Sequence, residues 1–88
     1  MTWDLQVAAS AERTLARLPE GVAAAIVEFM VGPLCGEPER VGKQLQRELA
    51  GYRSARRGAY RIVYRLDEDT LTVRVVRIEH RSDVYRSR

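Results

Sequence analysis

Residues 2–8, TWDLQVA, alternate so that Trp3, Leu5 and Val7 share one side, a period-2 pattern that predicts a first strand. The period then changes. Ser10 offers a hydroxyl to cap a helix, Glu12 places negative charge in its first turn, and Ala11, Leu15 and Leu18 fall at helical spacing to make one apolar stripe. Pro19 stops this helix and can begin another, whose stripe is Val22, Ile26 and Phe29 with Ala25 and Met30 beside it. Gly32 and Pro33 mark its end, so the two helices form a hairpin.

Gly36 and Pro38 between Leu34 and Arg40 predict an irregular connection. VGKQLQREL then reads as a turn followed by a short piece, extended or helical. Residues 52–57 and 59–66 predict two strands joined tightly at Gly58, and residues 71–79 a third after the polar turn Asp67-Glu68-Asp69. Within the middle strand, Tyr60, Ile62 and Tyr64 fall on one face and Arg61, Val63 and Arg65 on the other. One face is suited to a core while the other presents guanidinium groups. The expected architecture is α+β: an N-terminal strand and helical hairpin packed on a mainly antiparallel sheet, completed by a C-terminal β-meander. With 88 residues, no repeats and no linker, the whole chain, 1–88, is expected to be one domain.

Charge sharpens this outline. Residues 1–39 carry two basic and six acidic groups, while residues 40–88 carry thirteen basic and six acidic ones, local balances of −4 and +7. Positive potential is therefore gathered in the C-terminal half, as suits a protein that binds polyanions through one face. Fourteen of the fifteen cations are arginines, whose planar donor fork grips phosphate and stacks on bases, although a GC-rich genome produces the same bias. Cys35 has no partner for an intramolecular disulfide, and no run approaches about 18 apolar residues, so a cytoplasmic location without membrane insertion is expected.

One cysteine and one distant histidine do not supply a metal set, and no glycine-rich phosphate loop is present. No cofactor is called for. What remains is chemistry built from cations, a proton-transfer group and an aromatic ring, an inventory that cleavage of RNA through its own 2′-hydroxyl fits. His80 is the side chain whose ordinary pKa lies near neutrality, and Arg56 and Arg61 flank the tight turn where both can approach one phosphate. The plainer alternatives are that Arg56 and Arg61 ion-pair with Glu79 or Asp83, and that Tyr85 anchors the tail on the sheet.

The chain resembles the RelE/ParE toxin superfamily, and its RelE type in particular. The likeness runs from the first strand and helical hairpin through GKQL and RRGAYRIVYR to the terminal HRSDVYR. It implies the toxin of a type II toxin-antitoxin pair, a ribosome-dependent endoribonuclease that cuts messenger RNA in the ribosomal A site. By the same resemblance Arg56 and Arg61 bind or stabilise the scissile phosphate, and His80 and Tyr85 take part in proton transfer or base stacking. Lys43, Arg53, Arg57 and Arg81 would line the RNA-facing surface. The implied partners are the ribosome, its messenger RNA and a cognate antitoxin, RelB-like or another small protein. Some RelE-type toxins carry lysines in the strand before the turn, where this chain has Tyr52, Arg53 and Ser54, which leaves the general base open. Two alternatives stand beside the nuclease: a ParE-type inhibitor of DNA gyrase on the same fold, and a non-catalytic nucleic-acid binding module.

All four catalytic candidates are expected to gather around one pocket wide enough for a nucleotide.

Overall fold

Trp3, Leu5 and Val7 do alternate inward, and the strand they build, β1 (Asp4–Val7), is an edge of a five-stranded sheet. The computed structural model describes residues 2–82. After β1 come α1 (Ala9–Arg17) and α2 (Glu20–Phe29), then β2 (Lys43–Gln44), β3 (Arg53–Arg57), β4 (Tyr60–Asp67) and β5 (Thr72–His80). The spatial order is β1-β5-β4-β3-β2, with β1 parallel to β5 and every other pair antiparallel.

Both helices cover one face of the sheet. Ala11 of α1 and Ile26 of α2 join Met30, Leu34 and Cys35 against Ala55, Ile62, Tyr64, Val73, Val75 and Ile78 of the strands, and the partly buried Leu15, Leu18, Val22 and Phe29 pack around them. The helical stripes read from the sequence are thus the core-facing ones. Removing this apolar area from water is the main stabilising term for so small a domain.

Two local features depart from expectation and a third resolves an open one. Ser10 does not cap α1, since Ala8 stands at that position; the Ser10 hydroxyl instead donates to the Val76 carbonyl at 3.0 Å. The second helix does not end at Gly32 and Pro33 but widens into a π-turn over Met30–Leu34. Pro33 brings no N–H and crowds the preceding turn, and the wider turn relieves that conflict without ending the helix. The undecided segment after Val41 contains both alternatives, the short strand β2 and a 3₁₀ turn at Arg47–Leu49.

A β-bulge in β5 matters most. Val63 pairs with Arg77 and Tyr64 with Val75, so Val76 is the extra residue. Plain alternation from the buried Val73 and Val75 would carry Arg77 and Glu79 into the core and expel Ile78. The extra residue reverses that parity: Ile78 is buried opposite Ile62, and Arg77 and Glu79 move to the face away from the helices. The Ser10 hydroxyl bond to Val76 ties α1 to this irregularity.

Candidate nucleic-acid interface

Side chains paired across strands share a face, so the register assigns every basic residue of the sheet. On the face without helices lie Lys43 of β2, Arg56 of β3, Arg61 and Arg65 of β4, and Arg74 and Arg77 of β5. Six cations from four strands thus stand on one surface. Their concentration follows from the sequence alternation in β4 and from the bulge in β5.

At one end of this surface Arg56 and Arg61 are direct cross-strand partners. Between them the chain turns through Gly58 and Ala59, and Gly58 has φ of +62°. A positive φ at the first position of a two-residue loop is the II′ arrangement, which glycine adopts without steric cost. Two like charges opposite each other repel, and a carboxylate offsets this. Glu79 lies beside Arg61 on β5, and its Oε1 accepts from Arg61 Nη2 at 2.9 Å and Nε at 3.2 Å. Its Oε2 accepts from Arg77 Nη1 at 3.0 Å. The Arg61 and Glu79 side chains are 28% and 17% exposed, so the pair is partly withdrawn from solvent, whereas Arg77 is 66% exposed.

His80 takes the other face. It is the register partner of Tyr60, and its ring stands edge-on to that tyrosine with centroids 5.1 Å apart. The Ser82 backbone N–H donates to His80 Nδ1 at 3.1 Å, and the Ser82 hydroxyl lies 2.8 Å from the same nitrogen. A backbone N–H is always the donor, so in this geometry Nδ1 carries no proton and Nε2 bears the ring hydrogen. The expected pocket shared by Arg56, Arg61 and His80 is therefore not formed on one face: the two arginines lie on the helix-free side and His80 on the helix side of the same sheet end. Tyr85 lies outside the described residues.

The four expected RNA-lining residues also divide. Lys43 lies on the cationic face, paired with Ser54. Arg53 pairs with Tyr64 on the helix side, where Nη2 donates to the Glu39 carbonyl at 2.8 Å and the buried Nε has no partner among the described residues. It holds the loop before β2 in place. Arg57 is exposed on the helix side beside an apolar cavity of about 500 Å³ lined by Pro19, Val22, Ile26 and Tyr60. Arg81 is exposed just past β5, its backbone N–H bonded to the Ala59 carbonyl. The plainer alternative read from the sequence, an ion pair with Glu79, is the one Arg61 makes, whereas no motif points to Arg74 or Arg77. The signal that finds them is the reversed alternation VRVVRIEH, in which Ile78 must be buried.

Among the described residues no three His, Cys, Asp or Glu side chains are grouped to hold a metal, and no helix is long and apolar enough to cross a membrane. Burial pushes the Tyr64 phenol above its ordinary range, opposed by the nearby Arg53, and burial reinforced by Asp4 raises the Cys35 thiol.

Residues 4–85 match the family described as the ParE toxin of type II toxin-antitoxin systems, parDE. The chain belongs to that family. The toxin is 50% identical over 86 residues to Toxin RelG of Mycobacterium tuberculosis, covering 98% of this chain and 99% of that one. It is 48% identical over 84 residues to Toxin RelE of the same organism, covering 96% and 87% of the two chains. The solved toxin-antitoxin complex RelBE2 of M. tuberculosis contains a chain that matches with a TM-score of 0.88 at 48% identity, over 92% of this toxin and all of that chain. These likenesses make it a type II toxin of the RelE type. The isolated Escherichia coli RelE toxin, 19% identical with a TM-score of 0.73 over 94% and 90% of the chains, shares the fold.

Proposed function

We propose that this toxin is an endoribonuclease that cuts messenger RNA in the ribosomal A site by attack of the RNA's own 2′-hydroxyl on the adjacent phosphate. The observation that carries the proposal is the cross-strand pairing of Arg56 with Arg61 on a helix-free, six-cation face. A phosphodiester at the hairpin end meets two guanidinium groups held by the backbone of adjacent strands. Such preorganised donors stabilise the charge that grows on the non-bridging oxygens as the 2′-oxygen bonds to phosphorus and the bond to the 5′-oxygen breaks. This leaves a 2′,3′-cyclic phosphate, while the 2′-hydroxyl proton passes through solvent to the departing 5′-oxygen. Lys43, Arg65, Arg74 and Arg77 extend the positive surface across the sheet, along which a single strand can lie.

His80 reaches the same end of the sheet from the other side. With Nδ1 engaged by Ser82, its Nε2–H suits hydrogen-bond donation to the leaving 5′-oxygen or to a base edge rather than removal of a proton. Tyr85 is assigned base stacking or a share in proton transfer. The attacking nucleophile belongs to the substrate, so the scheme asks for no metal or other cofactor. The RelBE2 likeness supports a RelB-like antitoxin as the cognate partner.

Induction of the toxin should halt translation and leave transcripts with new 5′ ends, and Arg61→Ala should relieve toxicity in a domain that still folds. Growth arrest with intact transcripts contradicts the proposal. The family description as a ParE toxin favours one second reading, inhibition of DNA gyrase. Trapped DNA breaks in a gyrase assay would select it.

A further inference from the structure

The Nε–Nη2 edge of Arg61 is already occupied. Both nitrogens close on one oxygen of Glu79, the two-donor grip that a guanidinium gives a phosphate oxygen, and the partial burial of both side chains keeps water from competing freely for it. The second Glu79 oxygen is held by Arg77, which is far more exposed.

We propose that Glu79 is an internal stand-in for the RNA phosphate: it occupies the Arg61 fork in the free toxin and yields it to substrate, staying paired to Arg77 as it does so. This rests on the proposal above that Arg61 binds the scissile phosphate. A phosphate that takes the Nε–Nη2 edge of Arg61 competes with the Glu79 carboxylate for these two of the five guanidinium donors. Without Arg77 the displaced carboxylate would be left as an uncompensated negative charge beside a polyanion. With Arg77 on its other oxygen, the exchange keeps each charge partnered, and Arg61 stays extended along the sheet rather than collapsing into solvent. Glu79 is therefore a positioning residue that sets affinity by competition and touches no reacting atom. The bulge at Val76 is what makes the device available, because it turns Glu79 and Arg77 onto this face together.

The consequence is a split between binding and turnover. Removing a competitor strengthens the ground-state complex and the transition state alike, which lowers KM and leaves kcat nearly unchanged. A purely structural role would instead lower stability and reduce both.

The test uses the full-length toxin as wild type, Glu79→Gln, Arg61→Ala and the double variant. An uncleavable single-stranded RNA with 2′-O-methyl groups is titrated at several salt concentrations, and cleavage of ribosome-bound messenger RNA is followed with thermal melting as the check on folding. Glu79→Gln, which keeps the shape and removes the charge, should bind RNA about ten-fold more tightly at low salt. Its salt dependence should steepen by about 0.7, the increment for one further neutralised phosphate on a single strand. KM should fall by a similar factor with kcat changed less than about two-fold, and the gain should shrink by more than half in the Arg61→Ala background. Wild type that binds and cleaves RNA while Glu79→Gln shows unchanged or weaker binding in a folded domain overturns this inference alone. Wild type that neither binds nor cleaves RNA overturns the nuclease proposal and this one with it. Should Glu79→Gln fail to fold, Glu79→Ser is carried through the same titration, and the same outcomes apply.

Discussion

Arg61 and His80 leave neighbouring strands at the same end of the sheet but from opposite faces, because Arg61 is the partner of Glu79 and the next residue along β5 turns the other way. Their contributions should therefore separate on mutation. Arg61→Ala removes a charged donor from the proposed phosphate site and should lower cleavage by about 10²- to 10³-fold. His80→Ala removes one neutral hydrogen bond from the other side and should cost about ten-fold or less. Single-turnover cleavage of ribosome-bound message by the two variants compares them directly; equal losses would mean that both side chains act on one phosphate.

Gly42 is needed where it stands. A Cβ there would run into the Tyr64 hydroxyl and lie 2.7 Å from the Ser54 carbonyl oxygen, and Tyr64 is fully buried while donating to the Pro38 carbonyl. Neither neighbour can give way cheaply. Gly42→Ala should cost about 1 to 3 kcal/mol, the range for overpacking a close-packed site. Urea denaturation measures it, and a variant as stable as wild type would show that the loop before β2 moves freely.

Alkaline stability should carry the signature of Tyr64. Burial raises its phenol above the ordinary value of 10.0, so the fold favours the protonated form. The unfolded chain then releases its proton first as pH rises. The contribution is full below about pH 10 and is lost from there up toward the raised value. Cys35, raised from 9.0, adds loss of the same sign beginning earlier. Tyr64→Phe lacks the phenol and should be less stable at neutral pH because the Pro38 carbonyl loses its donor, but the gap to wild type should narrow above about pH 10. Melting temperatures from pH 7 to 11 give the comparison. A constant gap would mean that Tyr64 ionises alike in the two states.

Much of this arrangement can be read from particular residues. Tyr60, Ile62 and Tyr64 against Arg61, Val63 and Arg65 disclose which side of β4 is the core, and Gly58 marks the hairpin. The helical stripes Ala11-Leu15-Leu18 and Val22-Ile26-Phe29 name the buried faces of α1 and α2. What could not be read depends on tertiary pairing. The parallel docking of β1 beside β5 joins segments 68 residues apart, and local pattern carries no trace of it. The bulge at Val76 switches the parity of everything after it, so the faces of Arg77, Glu79 and His80 follow from the register and not from counting along a motif. A shared role for Arg61 and His80, implied by the resemblance, predicts one pocket; the pleat places consecutive residues 79 and 80 on opposite sides.

On the proposed function, the Arg56–Arg61 end of the cationic face cuts messenger RNA. Genome-wide mapping of transcript 5′ ends after brief induction of wild type and of Arg61→Ala tests it most directly. New 5′ ends within translated regions for wild type, absent for the folded Arg61→Ala variant, are predicted. Growth arrest by wild type without new ends would contradict it.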